Sequence, residues 1–93
     1  MNVVIIGAGS SGLACGIRLV NQGYDVTILE KNETPGGRCT RFQENGVTFD
    51  TGPTLFMMPD TFDRLFQDVG RNISDYLSIQ RIDPAYRITY SDG

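Results

Sequence analysis

The sequence predicts an α/β chain that opens with a right-handed βαβ unit. Three observations carry this: a β-branched run without alternation at Val3 to Ile6, a helix-period apolar stripe after it, and a second apolar run within Asp25 to Glu30. A strand that is apolar on successive residues suits a parallel sheet buried on both faces. Two such strands joined by one helix become parallel neighbours through a right-handed crossover.

Each element follows from its own residues. The helix is expected from about Ser11 to Gln22, with Leu13, Ile17 and Val20 as its packing face and Gly23 stopping it. Cys15 falls inside this helix and reads as a small buried filler. "NETPGGR" (Asn32 to Arg38) is a loop by composition. "CTRFQENGVTFD" reads as a hairpin turning at Asn45-Gly46, with Phe42 and Phe49 as packing residues. Gly52-Pro53 breaks regular structure. A second helix is expected to open at Asp60, its carboxylate capping the first turn, with Phe62, Leu65, Phe66 and Val69 as its apolar stripe and Gly70 as its end. Met57 and Met58 read as core fillers rather than as the lining of a substrate tunnel. "DYLSIQRID" and "AYRITYSDG" read as strands, the second stopping on the turn signal Asp92-Gly93. That ending predicts the N-terminal part of a longer protein.

Composition narrows the function. Of 93 residues, 40 % are hydrophobic and 20 % charged, the balance of an ordinary globular chain. A net charge of −3 without a Lys/Arg cluster argues against a nucleic-acid partner. There is no histidine, and the two cysteines stand far apart, so no metal site is predicted. Two isolated cysteines and no secretory leader suit the cytoplasm. No apolar stretch approaches the ~20 residues of a membrane-spanning helix. The expected protein is soluble or at most lies on a membrane surface.

The strongest motif is Gly7, Gly9 and Gly12 between the first strand and its helix, a G-x-G-x-x-G loop that includes Ala8, Ser10 and Ser11. Gly7 permits the tight turn, Gly9 lets a pyrophosphate approach the backbone, and Gly12 lets helix and strand pack closely. The helix N-terminus offers free N–H groups and partial positive charge to phosphates. Glu30 ends the second strand at the ~20-residue offset where a carboxylate accepts ribose hydroxyls. These residues predict a bound dinucleotide. They do not separate NAD from FAD, which share the adenosine diphosphate half.

The segment "LEKNETPGGRCTRF" resembles the extended N-terminal signature of the amine-oxidase-like flavoproteins, in which the dinucleotide is FAD. The resemblance implies that Lys31 borders the site, that Gly36 and Gly37 bring backbone near the phosphates, and that Arg38 helps hold them. A guanidinium suits that role, because it grips phosphate oxygens bidentately. Further on, "GVTFDTGPTLFMMPDTFDRLF" is similar to the carotenoid desaturases, and "MMPD" most resembles the dehydrosqualene (diapophytoene) type. With "ISDYLSIQRIDPAYRITYSDG" the likeness runs along essentially the whole chain. It implies that Gly52, Pro53 and Thr54 approach the flavin. It also implies that residues 1–70 are the incomplete N-terminal portion of a Rossmann-like FAD-binding domain and 71–93 the incomplete start of a substrate domain or an excursion.

The function implied is FAD-dependent dehydrogenation of a carotenoid precursor such as phytoene or dehydrosqualene. Its partners would be FAD, a hydrophobic polyene, the remainder of a longer chain and a peripheral membrane surface. No acid or base for proton transfer is recognisable, so the catalytic residues are unknown, and Cys39 receives no chemistry. Alternatives stay open: another amine-oxidase-like flavoenzyme, a carotenoid isomerase or oxygenase, a plain NAD-binding domain, or a non-catalytic binding protein like the Rab GDP-dissociation inhibitors. Gly12 and Pro35-Gly36-Gly37-Arg38 speak against the last, and the G-G-R segment against plain NAD binding.

Overall fold

In the computed structural model, residues 1–53 and 55–92 are described. Thr54, expected near a flavin, lies outside them. Strand β1 (Asn2–Ile6), helix α1 (Ser10–Asn21) and strand β2 (Asp25–Leu29) form the expected parallel unit, with β1 and β2 in register from Asn2–Asp25 to Ile6–Leu29. The Gly7 N–H extends the ladder to the Leu29 carbonyl at 2.7 Å.

The packing face of α1 differs from the expected one. Gly16 is buried, and a Cβ there would stand 3.1 Å from Ile28 Cδ1 and 3.5 Å from Ile5 Cδ1. The helix therefore approaches the sheet through Gly12 and Gly16. Leu13, Ile17 and Val20 remain exposed instead, lining an open cleft of about 520 Å³ with Phe66, Val69 and Tyr76. Cys15 is exposed rather than buried. The sheet is covered on one face only. Val3, Ile5, Val26 and Ile28 are half-buried, while Val4, Ile6 and Leu29 on the other face are exposed. The expectation of burial on both faces is thus met on the α1 side alone.

Strands β3 (Arg41–Glu44) and β4 (Val47–Asp50) make the expected hairpin. Asn45 and Gly46 take φ of 53° and 78°, as a tight two-residue turn requires. Phe42 and Phe49 stack at 5.1 Å between ring centroids, although both stay exposed. Helix α2 (Pro59–Asp68) starts one residue earlier than expected, and no side chain caps it. Pro59 occupies the first turn, where its fixed φ suits a helix and its missing N–H costs nothing. Asp60 lies within that first turn and complements the dipole without capping. Leu65 is buried, Phe62, Phe66 and Val69 are half-buried, and Gly70 ends the helix at φ 74°. An exposed Arg18–Asp68 ion pair of 2.6 Å ties α1 to α2.

A short 3₁₀ turn follows (Ile73–Asp75), and Ile73 is buried. The two strands expected beyond it do not form: residues 76–92 hold turns and irregular chain. A strand needs a partner for its N–H and C=O groups, and none pairs with this segment among the described residues. Met57 and Met58 are exposed, which corrects their reading as core.

Candidate functional site

The site begins where β1 runs into α1. Gly7 has φ 102°, a backbone state that residues with a Cβ rarely adopt. A Cβ at Gly12 would strike the Gly7 carbonyl oxygen, so the turn closes only because Gly12 lacks one. Gly9 is different. Its φ of −78° is ordinary, and a Cβ there would meet only the Gly37 Cα, at 3.8 Å. Neither local conformation nor packing demands glycine at this position. The remaining demand is space in front of the loop.

Gly9 also caps α1 without a side chain, and the Leu13 N–H closes the first turn on the Gly9 carbonyl at 3.0 Å. The N–H groups of Ser10, Ser11 and Gly12 have no acceptor among the described residues. They are the donors a helix N-terminus presents to an anion.

The loop after β2 joins this turn. The Gly36 N–H donates to the Ala8 carbonyl at 2.8 Å. Gly36 and Gly37 have φ of 128° and 63°, and a Cβ at Gly37 would come within 3.1 Å of the Gly9 Cα. The two glycine-bearing loops thus touch through backbone. Between them lies a cavity of about 360 Å³. Gly7, Gly9, Ser10, Ser11 and Gly12 line it from one side, Gly36, Arg38 and Cys39 from the other. Arg38 forms no ion pair among the described residues, so the cavity brings together an unpaired guanidinium and a positive helix end.

Glu30 follows the last residue of β2. One carboxylate oxygen accepts from the Ala8 N–H at 2.7 Å and the other from the Asn32 N–H at 3.1 Å. These bonds, that from Ala8 foremost and that from Asn32 next, hold the Glu30 carboxyl below its ordinary value against the opposing effect of desolvation. A carboxylate offers about four acceptor positions, so the two bonds leave room for ribose hydroxyls.

Of the expected site residues, Gly7, Gly9, Ser10, Ser11, Gly12, Gly36 and Arg38 come together around one cavity, with Ala8, Gly37 and Glu30 holding its walls. Lys31 is exposed and outside that lining. Pro53 borders a separate cleft of about 870 Å³ between the 33–35 loop and the hairpin. Cys39 lines both spaces. Asn32 was not singled out by the sequence, its adjacency to Glu30 being the only signal, and Cys39 was weighed for its place after Arg38 but given no chemistry. No group of three or more His, Cys, Asp or Glu among the described residues could hold a metal ion.

Residues 5–71 match the NAD(P)-binding Rossmann-like domain family. The chain belongs to it. Its homologues include carotenoid and diapophytoene desaturases. A zeta-carotene-forming phytoene desaturase of Myxococcus xanthus is 50 % identical over 97 % of this chain and 17 % of the relative. A 4,4'-diapophytoene desaturase of Staphylococcus haemolyticus is 41 % identical over 99 % of this chain and 18 % of its own. A 4,4'-diapolycopene oxygenase of a Methylomonas species is also 41 % identical, over 98 % and 18 %. The crystal structure of an oxidoreductase from Methanosarcina mazei superposes with a TM-score of 0.62 at 30 % identity, over 75 % of this chain and 17 % of that one. The Rossmann-like chain therefore spans under a fifth of the length of these curated relatives. No helix among its described residues is long and apolar enough to cross a membrane.

Proposed function

We propose that this chain is the N-terminal, ADP-binding segment of an FAD-dependent oxidoreductase that dehydrogenates a carotenoid precursor such as phytoene or dehydrosqualene. The observation that carries the reading is the joining of the two glycine loops, Gly36 N–H to Ala8 carbonyl, around a cavity open to helix N–H groups and Arg38. A Cβ at Gly9 would occupy the front of that cradle, which fits a pyrophosphate pressed against the backbone. The likeness to desaturases over 97–99 % of the chain supports flavin over nicotinamide and a polyene over other substrates.

In this reading the Ser10 to Gly12 N–H groups and Arg38 hold the pyrophosphate, and Glu30 accepts the ribose hydroxyls. Lys31 adds positive charge beside Glu30, and Pro53, at the neighbouring cleft, stands toward the flavin. Bound FAD supplies the acceptor of two electrons. The chain's own residues bind and orient it, and no group here is assigned a proton to move. Residues 1–70 would be part of the cofactor domain and 71–93 the beginning of the substrate domain. A hydrocarbon substrate dissolved in lipid suits peripheral contact with a membrane.

A second reading, oxygenation of a carotenoid, rests on the diapolycopene oxygenase, which at 41 % is as similar as the diapophytoene desaturase and less similar than the phytoene desaturase at 50 %. Purification of the full-length protein tests the proposal. A flavin absorption spectrum and two-hydrogen loss from phytoene or dehydrosqualene are expected. A colourless protein that binds NAD would overturn the cofactor, and an oxygenated product would select the second reading.

A further inference from the structure

Ala8 is the hub of the cradle. It is 4 % exposed, and both of its backbone polar groups are engaged: its N–H donates to Glu30 and its carbonyl accepts from Gly36. These two bonds join three stretches of chain: the β1–α1 turn, the end of β2 and the 32–39 loop. With the Asn32 bond at 3.1 Å, Glu30 spans the glycine turn and the start of the second loop. The Ala8 peptide directly precedes Gly9, whose conformation sets the direction of the first N–H groups of α1. A charged acceptor makes the Ala8 bond a strong one.

We infer that Glu30 is a positioning residue for the glycine loop: its carboxylate holds the Ala8 peptide so that the phosphate-binding N–H groups are set before any dinucleotide arrives. The inference rests on the dinucleotide reading and adds a task to the one Glu30 has toward ribose. The two tasks are compatible, since the Ala8 and Asn32 bonds use about half of the carboxylate's acceptor capacity. The two tasks also separate cleanly by ligand. A carboxylate beside a phosphate site repels phosphate through space, so removing it should tighten an anion that has no ribose. If the carboxylate instead shapes the loop, removing it should weaken the same anion. The sign of the change decides.

The experiment uses the full-length protein freed of dinucleotide, with inorganic pyrophosphate and ADP as probes. Glu30→Ala is expected to weaken pyrophosphate roughly tenfold, the scale of one charge-assisted hydrogen bond, and to speed hydrogen exchange across residues 5–13. Glu30→Gln keeps an oxygen for the Ala8 N–H and should restore most of both properties. Pyrophosphate affinity unchanged or raised in Glu30→Ala overturns the inference, as does unchanged exchange over residues 5–13. So does a Gln variant as impaired as Ala. Wild-type protein that binds neither ADP nor pyrophosphate overturns the dinucleotide reading itself, a result distinct from these.

Discussion

Val3, Ile5, Val26 and Ile28 lie half-buried beneath α1, whereas Ile79, Ile82 and Ile88, just as apolar, stand exposed in a segment without strands. The first group has what it needs within 29 residues of chain: a parallel partner, a covering helix, and glycines that let the helix come close. The segment from Tyr76 onward has alternation but no partner strand among the described residues. Apolar sequence makes a strand possible, and pairing makes one. The glycine turn of the cradle sits in the self-contained region, while Gly36, Arg38 and Cys39 close it at the border, from the loop that leads into the hairpin.

The largest expected effect breaks the self-contained region itself. In Gly12→Ala the new Cβ meets the Gly7 carbonyl, a backbone atom that cannot swing aside. Overpacking of this kind costs about 1–3 kcal/mol, so Gly12→Ala should lower the denaturation midpoint and lose the dinucleotide together. An undiminished midpoint would show that α1 and β1 are less tightly joined than their geometry says.

Gly9→Val should separate folding from binding. Its Cβ has only an ordinary contact with the Gly37 Cα, so the stability loss should not exceed about 1 kcal/mol, the scale of a poorer N-cap residue, while dinucleotide binding is abolished. Purified variant carrying a full complement of dinucleotide would remove Gly9 from the site. The contrast with Gly12 sharpens the motif: two glycines with the same spacing signal, one serving the fold and one serving the ligand.

The sequence made these elements legible because their signals are local. The β1, β2 and hairpin patterns are complete within a few residues, and the glycine spacing marks the turn directly. Glu30 was legible by its place at a strand end, but its bond to Ala8 was not, since a bond between positions far apart in sequence leaves no pattern. The packing face of α1 was misread because a hydrophobic stripe reports large side chains, whereas α1 approaches the sheet where side chains are absent, at Gly12 and Gly16. Asp60 was expected to cap α2, yet Pro59 moves the start earlier. The strands beyond Ile73 were misread because alternation carries no information about a partner.

Glu30 yields a smaller, pH-dependent effect. Its carboxyl is held below the ordinary 4.5 by the Ala8 and Asn32 N–H groups, so folding favours the ionised form. The stabilisation is complete above 4.5 and is lost as pH falls through the lowered folded value. The stability difference between wild type and Glu30→Ala should therefore be constant near neutrality and shrink in acid. A difference that grows as pH falls would contradict the two bonds.

The smallest effect is expected at the border. The Arg38 carbonyl lies against Gly52, where a Cβ would strike it, so the chain just after the hairpin backs the main chain of Arg38 while Arg38 itself lines the cavity. Arg38→Lys keeps the charge and removes the planar fork, so the long-range attraction to phosphate stays and the bidentate geometry goes. Dinucleotide affinity should fall by about 1 kcal/mol, the net scale of one hydrogen bond, with stability unchanged. Titration of FAD into the full-length variant measures it. An affinity equal to wild type would make Arg38 a point charge only, and the cradle would then belong wholly to the β1–α1–β2 region. A loss as large as that of Gly9→Val would carry the site across the border, making the hairpin side an equal partner in holding the phosphates.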